Sequence, residues 1–134
     1  MTTHRHTVRT KGQGDAHDIT EFVSHAARGV GSGLATVFVV GSTAAVTTIE
    51  FEPGAIGDLN AVFERLAPRQ GEYEHHKRWG DDNGSSHVRA AMLGPSLTIP
   101  IVDGELTLGR WQQIMLLEFD TRSRQREIVI QIVE

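Results

Sequence analysis

Short runs of β-branched and other apolar residues, bounded by glycines or turn residues, recur along this chain and limit the folds open to it. Such runs are typical of strands. The weakly alternating segment 4–11 is a further candidate strand. Asp103-Gly104 lies between two of the runs and is a strong hairpin signal. The sequence therefore predicts mostly antiparallel sheets, built from runs at 34–40, 45–51, 97–102, 105–108, 111–119 and 126–133.

Helical patterns are fewer than strand patterns. Asp18, with an acid three residues later, predicts a capped helix over 22–27. Apolar residues recur at helical spacing from 56 to 66, and a third helix is predicted over 87–93, capped by Ser85 or Ser86. Two to three helices beside antiparallel strands define the α+β class.

Composition narrows the protein class. The 134 residues are expected to form one domain, 1–134. The net charge of −4 argues against a general nucleic-acid binder. Because cysteine is absent, thiolate catalysis is excluded, and a metal would need His and carboxylate ligands. There is no apolar run of the ~20 residues that span a bilayer and no secretory signal, so we expect a cytoplasmic protein without membrane contact.

The segment 73–95 concentrates the residues that could carry chemistry. It contains three of the seven histidines and two adjacent acids, and it leads into the predicted start of the third helix. Backbone N–H groups and the positive end of the dipole favour an anion at such a start. The alternative is a solvated surface loop. The residues of interest are His75, His76, Asp81, Asp82, Asn83, Ser86 and His87.

Imidazole and carboxylate groups can exchange protons near neutral pH or bind a divalent cation. The spacing of His75 and His87 matches no compact zinc motif, so metal ligation by this pair depends on folding. His76 is interpreted as a bystander. The arginines at 122, 124 and 126 are interpreted as the solvated end of a strand.

Four blocks in the same order resemble the YjbQ-like family, which is sometimes labelled secondary thiamine-phosphate synthase. They are GSTAAVTTIE (41–50), the segment 73–87, LGPSLTIP (93–100) and GELTLGRWQQ (104–113). The resemblance implies a two-sheet, mostly antiparallel β-sandwich with helices, assembled as a homotrimer. Trp111 is then expected to be a core or subunit-interface anchor.

The resemblance also suggests site residues. His75 and His87 match the Tyr-x-His … His pattern of the family. Many relatives have a histidine where this chain has Gly41, so a three-histidine metal site does not carry over. The expected catalytic set is His75, His87, Asp82 and Glu50; the expected ligand-binding set is Ser42, Thr43, Asn83, Ser86 and Gln112; the expected ligands of a divalent metal ion are His75 and His87.

The activity implied by the label joins a pyrimidine diphosphate to a thiazole phosphate, with pyrophosphate leaving. This reaction needs positive groups at the pyrophosphate and little covalent chemistry from the protein. Two alternatives stay open, a non-catalytic module that binds a phosphorylated metabolite and a metal-dependent hydrolase. Turnover of a defined substrate distinguishes an enzyme from a binding module.

Overall fold

Eight strands and four helices form the protein in the computed structural model, which describes residues 1–134. Every strand pair is antiparallel, which confirms the α+β class. The elements are β1 Thr2–Thr10, β2 Ala16–Asp18, α1 Thr20–Ala26, β3 Gly33–Val40, β4 Ala44–Ile49, α2 Pro53–Leu66, α3 Glu74–Trp79, α4 Gly84–Leu93, β5 Ser96–Val102, β6 Glu105–Leu106, β7 Gln113–Glu118 and β8 Arg124–Val133.

The strands form one sheet of five, in the order β1-β8-β3-β5-β6, and one of three, in the order β2-β7-β4. Only β5 and β6 pair as consecutive strands, because the chain changes sheet at each of the other connections between strands. The predicted hairpin is confirmed at Asp103 and Gly104, where φ is 51° and 84°. Positive φ at both central residues suits the right-handed twist of the flanking strands.

The main core lies between the sheets. Alternate residues of β8, namely Ile128, Ile130 and Ile132, pack in one apolar cluster with Ile114 and Leu116 of β7. The other residues of β7, including Met115, belong to a second cluster against α2 and α4. β7 is therefore buried on both faces, which explains its uninterrupted apolar sequence.

The first two helices begin at other residues than the sequence predicts. Pro53 and Gly54 begin α2, where Glu52 is the N-cap and accepts from the N–H groups of Gly54 and Ala55. A proline is tolerated there because its missing N–H would have no partner within the helix. At the first helix, Asp18 ends β2, and its carboxylate accepts from the Thr20 N–H and hydroxyl.

The predicted serine cap of α4 is wrong. α4 begins at Gly84, and both Ser85 and Ser86 lie inside it, fully buried, with hydroxyls that have no hydrogen-bond partner. The Gly84 N–H instead donates to His76 Nε2 at 3.0 Å. His76 thus has a structural role on α3, and its interpretation as a bystander to the chemistry stays a prediction. The four helices also exceed the two to three expected, and none has the length and hydropathy to cross a membrane.

Candidate functional site

α3 and α4 bring His75 and His87 together as the sequence predicts. Their ring centroids are 4.5 Å apart, with the planes tilted by 40°. His75 Nδ1 lies 2.9 Å from Asp81 Oδ1, so the carboxylate orients the His75 ring. Both His75 and Asp81 are partly exposed. Such a carboxylate–histidine pair can hold a proton for transfer at the Nε2 of His75.

The pKa of His87 is lowered from its usual value of 6.5. Burial disfavours the charged imidazolium, and the neighbouring His75 adds repulsion. Asp120 and Asp81 oppose the shift without cancelling it. His87 is therefore neutral at pH 7 and able to accept a proton from a bound ligand.

This shift makes stability depend on pH. Because the unfolded chain binds the His87 proton more tightly than the folded protein, the free energy of unfolding should fall as pH drops through about 6.5. His87→Gln should reduce that loss, whereas the exposed His25→Gln should leave it unchanged. Urea unfolding between pH 8 and 5.5 measures the difference. Identical pH profiles for wild type and His87→Gln would contradict the assigned shift.

A pocket of about 320 Å³ opens beside His87. Its walls are the turn between β3 and β4 on one side and α4 on the other. Ser42 is exposed on the turn, so the structure brings this predicted ligand-binding residue to the same pocket as His87. The lining residues are Gly41, Ser42, Ala44, His87, Ala90, Ala91 and Pro95.

A buried charge network lies behind that turn. Arg126 is 6% exposed and donates from Nε and Nη2 to the two carboxylate oxygens of Glu118, at 2.7 and 2.5 Å. Arg126 Nη2 also donates to Thr43 Oγ1 at 2.6 Å, and Thr43 donates to Asp120 at 3.0 Å. Thr43 was expected to bind ligand. It connects two buried acids to the turn that lines the pocket, Asp120 directly and Glu118 through Arg126.

Asp120 is held as a carboxylate. Burial raises its pKa, but hydrogen bonds from the Thr121 N–H, from Arg124 and from Thr43 outweigh burial and leave the pKa below its usual value. The network therefore carries two arginines and two carboxylates, a balanced arrangement that avoids an uncompensated buried charge.

The interpretation of the arginines at 122, 124 and 126 as a solvated strand end is wrong for Arg126. The sequence contained a signal that was missed, since Arg126 has the same strand parity as Ile128 and Ile130 and therefore points inward with them. Glu118 gave a similar signal, because it directly follows the apolar run of β7. Both members of the ion pair, Arg126 and Glu118, therefore lie on inward-facing positions of their strands.

Asp82, Asn83 and Ser86 differ in their availability to a ligand. Asp82 is exposed, and its Oδ1 lies 3.4 Å from the Thr121 hydroxyl. The Asn83 amide lies between Asp81 and Asp120; with its nitrogen turned to Asp81 it donates at 3.2 and 3.3 Å. Ser86 is fully buried and is not part of the pocket wall.

Glu50 and Gln112 lie away from the histidine cluster. Thr43 and Glu50 flank opposite ends of β4, which at about 3.3 Å per residue separates them by roughly 20 Å. Gln112 donates to Thr48 at 3.1 Å and accepts from the Gly109 N–H. Within one chain, neither Glu50 nor Gln112 joins the site of His75 and His87.

Trp111 is not a core residue. Its side chain is 61% exposed, and the Arg110 guanidinium lies 4.8 Å from its ring centroid. The prediction of a core anchor is therefore wrong, while a role at a subunit interface stays a prediction.

The histidine cluster offers few ligands to a metal ion. His75 Nδ1 faces Asp81, and Gly41 supplies no side chain. No three His, Asp or Glu side chains are grouped so that they could share an ion. We therefore assign no chemical step to a metal.

The fold and the pocket define an α+β sandwich domain whose candidate site lies between a strand–strand turn and a helix. The chain belongs to the YjbQ-like family, since the family model "UPF0047 protein YjbQ-like" matches residues 4–134. A UPF0047 protein from Archaeoglobus fulgidus is 34% identical over 123 residues, covering 92% of this chain and 95% of that protein. Another, from Synechocystis sp., is 38% identical over 105 residues, covering 78% and 71%.

Solved structures agree with the assignment to this family. A hypothetical protein from Aeropyrum pernix K1 superimposes with a TM-score of 0.87 at 33% identity, covering 99% of this chain and 98% of the other. A protein from Sulfolobus solfataricus P2, described as YbjQ-like and of unknown function, has a TM-score of 0.86 at 27% identity, covering 98% and 96%.

Proposed function

We propose that this protein is an enzyme that binds a phosphorylated small molecule in the pocket beside His87. The observation that supports this most directly is the contact of His75 with His87, which lines the pocket, while Asp81 orients His75. The arrangement offers one imidazole fixed by a carboxylate and a second with a lowered pKa. A group whose environment shifts its pKa, as at His87, is typical of proton-transfer sites.

The reaction we propose resembles that of a secondary thiamine-phosphate synthase. A pyrimidine diphosphate would be joined to a thiazole phosphate, and pyrophosphate would leave. In such a transfer the protein mainly positions the reactants and stabilises charge on the leaving group. His87 and His75 would serve the leaving pyrophosphate, as hydrogen-bond donors when protonated. The start of α4 has fewer free backbone N–H groups for an anion than the sequence suggested, because the Gly84 N–H already donates to His76.

A turnover assay tests this proposal. The protein is incubated with the two phosphorylated substrates, and released pyrophosphate is measured with and without a chelator. We expect pyrophosphate release by wild type and none by His87→Ala. Saturable binding without product would favour the alternative of a non-catalytic binding module. Phosphate release that stops on chelation would favour a metal-dependent hydrolase.

We also propose a homotrimer. The outer face of the five-stranded sheet exposes large apolar side chains that an isolated small domain would leave in water, including Leu34, Phe38 and Val40 of β3 and Val133 of β8. β1 and β6 also leave sheet edges to be covered. The cytoplasmic location and the absence of nucleic-acid partners stay predictions.

Size exclusion coupled to light scattering is expected to give three times the chain mass of 14.7 kDa at micromolar concentration. Phe38→Glu, which places a charge on the apolar face, should shift the protein toward smaller species, whereas Glu72→Lys on an exposed loop should not. A single wild-type species of 14.7 kDa would end the trimer proposal.

A further inference from the structure

Arg126 has one nitrogen that the buried network does not use. Its three hydrogen bonds to Glu118 and Thr43 all come from Nε and Nη2. No hydrogen bond is made by Nη1, although the side chain is more than nine-tenths buried. A guanidinium nitrogen carries two N–H donors, and leaving them without a partner in a mostly buried group is unfavourable.

The unused nitrogen lies against Gly41. A Cβ atom built on Gly41 would come within 2.7 Å of Arg126 Nη1, so the space that a side chain would occupy at position 41 is taken by the guanidinium. Gly41 itself lines the pocket together with Ser42 and His87. Arg126 does not itself line the pocket, but its Nη1 lies directly against the Gly41 backbone that does, with no side chain between them.

We propose that Arg126 Nη1 donates to a phosphoryl oxygen of the ligand bound between the Gly41 turn and His87. This inference rests on the proposed function and adds a specificity-determining group to it. Glu118 and Thr43 fix the guanidinium plane, so the donor is oriented before the ligand arrives and little freedom is lost on binding. Arginine suits the task because its planar fork can bond the carboxylate on one side and a phosphoryl group on the other.

The charge balance of the network is compatible with this role. Arg124 and Arg126 offset Glu118 and Asp120, so the site does not attract anions by excess charge. Selectivity comes from the direction of the Nη1 donors. An anion should therefore bind more tightly than a neutral compound of the same size, and the difference should depend on Nη1.

Two variants test the assignment with pyrophosphate as the probe in calorimetric titration. Gly41→Ala places a methyl group only 2.7 Å from Nη1, so the guanidinium must shift, and Arg126→Lys keeps the buried charge opposite Glu118 but has no second nitrogen to present at Gly41. Losing a hydrogen bond to a charged group should weaken pyrophosphate binding by about tenfold or more in both variants. Gly29→Ala is the matched control, because Gly29 also has a positive φ, of 85° against 155° at Gly41, but a Cβ there meets no atom within 4 Å.

The outcomes separate this inference from the proposed function. Weakened binding in both variants, with folding retained in thermal unfolding and normal binding by Gly29→Ala, supports the role of Arg126. Binding by both variants within about twofold of wild type would overturn it while leaving the His87 pocket as the ligand site. Failure of wild type itself to bind pyrophosphate would overturn the proposed function and this inference together.

Discussion

Replacing Arg126 with methionine is expected to lower the free energy of unfolding by about 3–5 kcal/mol, because Glu118 would be left as a buried carboxylate without its cation. Urea unfolding at pH 7.5 measures the change. Arg5→Met is the matched control: the Arg5–Glu127 pair lies on the surface, and its loss should cost less than about 1 kcal/mol.

A double variant distinguishes the ion pair from simple packing. Glu118→Met combined with Arg126→Met removes both charges, so it should be clearly more stable than Arg126→Met alone. If the single arginine variant unfolds no more easily than Arg5→Met, Arg126 is not held in a buried pair. If the double variant is the less stable of the two, the loss comes from packing and not from an uncompensated charge.

Loss of both site histidines is the second large effect that we expect. His75→Ala combined with His87→Ala should abolish pyrophosphate binding and turnover, since it removes the imidazole that lines the pocket and the one packed against it. The melting temperature should stay within a few degrees of wild type because neither ring is fully buried. Calorimetric titration and thermal unfolding measure the two properties.

His25→Ala on α1 is the control for the loss of an exposed histidine elsewhere in the fold. Substitution of His76 should behave differently from both, because its Nε2 accepts the Gly84 N–H and supports the start of α4. If the double variant at His75 and His87 loses its fold together with its binding, those histidines are structural and the site assignment fails.

Strand patterns allowed most of the fold to be predicted. The apolar run at 126–133 and the Asp103-Gly104 turn are local signals, and both appear in the structure as expected. Local signals of this kind do not predict which strands pair with each other. Strands that follow each other in the chain, such as β3 and β4, lie in different sheets. Their placement depends on how the two faces of β7 pack and not on any local residue.

Helix α3 shows the limit of periodicity. Its sequence, EHHKRW, has no apolar stripe and no buried residue, and the segment therefore looked like a loop. The helix ends at Gly80, which has a positive φ. The ring of Tyr73, the N-cap residue, packs against the ring of His76 within the same helix. The start of α4 was predicted wrongly for a related reason. The Gly84 N–H at this start donates to His76 of α3 and not to one of the two serines of α4.

The candidate site was predicted in part. Ser42 and His87 line one pocket and His75 packs against His87, whereas Glu50 and Gln112 lie toward the other end of β4. Motifs in the sequence show which residues occur close together along the chain, but they do not show at which end of a strand each residue lies. Arg126 was missed because a charged residue near a turn usually faces solvent, and only its parity with Ile128 placed it inside.

Calorimetric titration of pyrophosphate, phosphate and a neutral compound such as glycerol, from pH 8 to 6, tests the central claim most directly. Pyrophosphate should bind and glycerol should not. Phosphate affinity should rise as pH falls toward the lowered pKa of His87 and then level off, because phosphate is itself protonated near pH 6. If pyrophosphate binds no better than glycerol at every pH, the pocket beside His87 is not an anion site and the account is wrong.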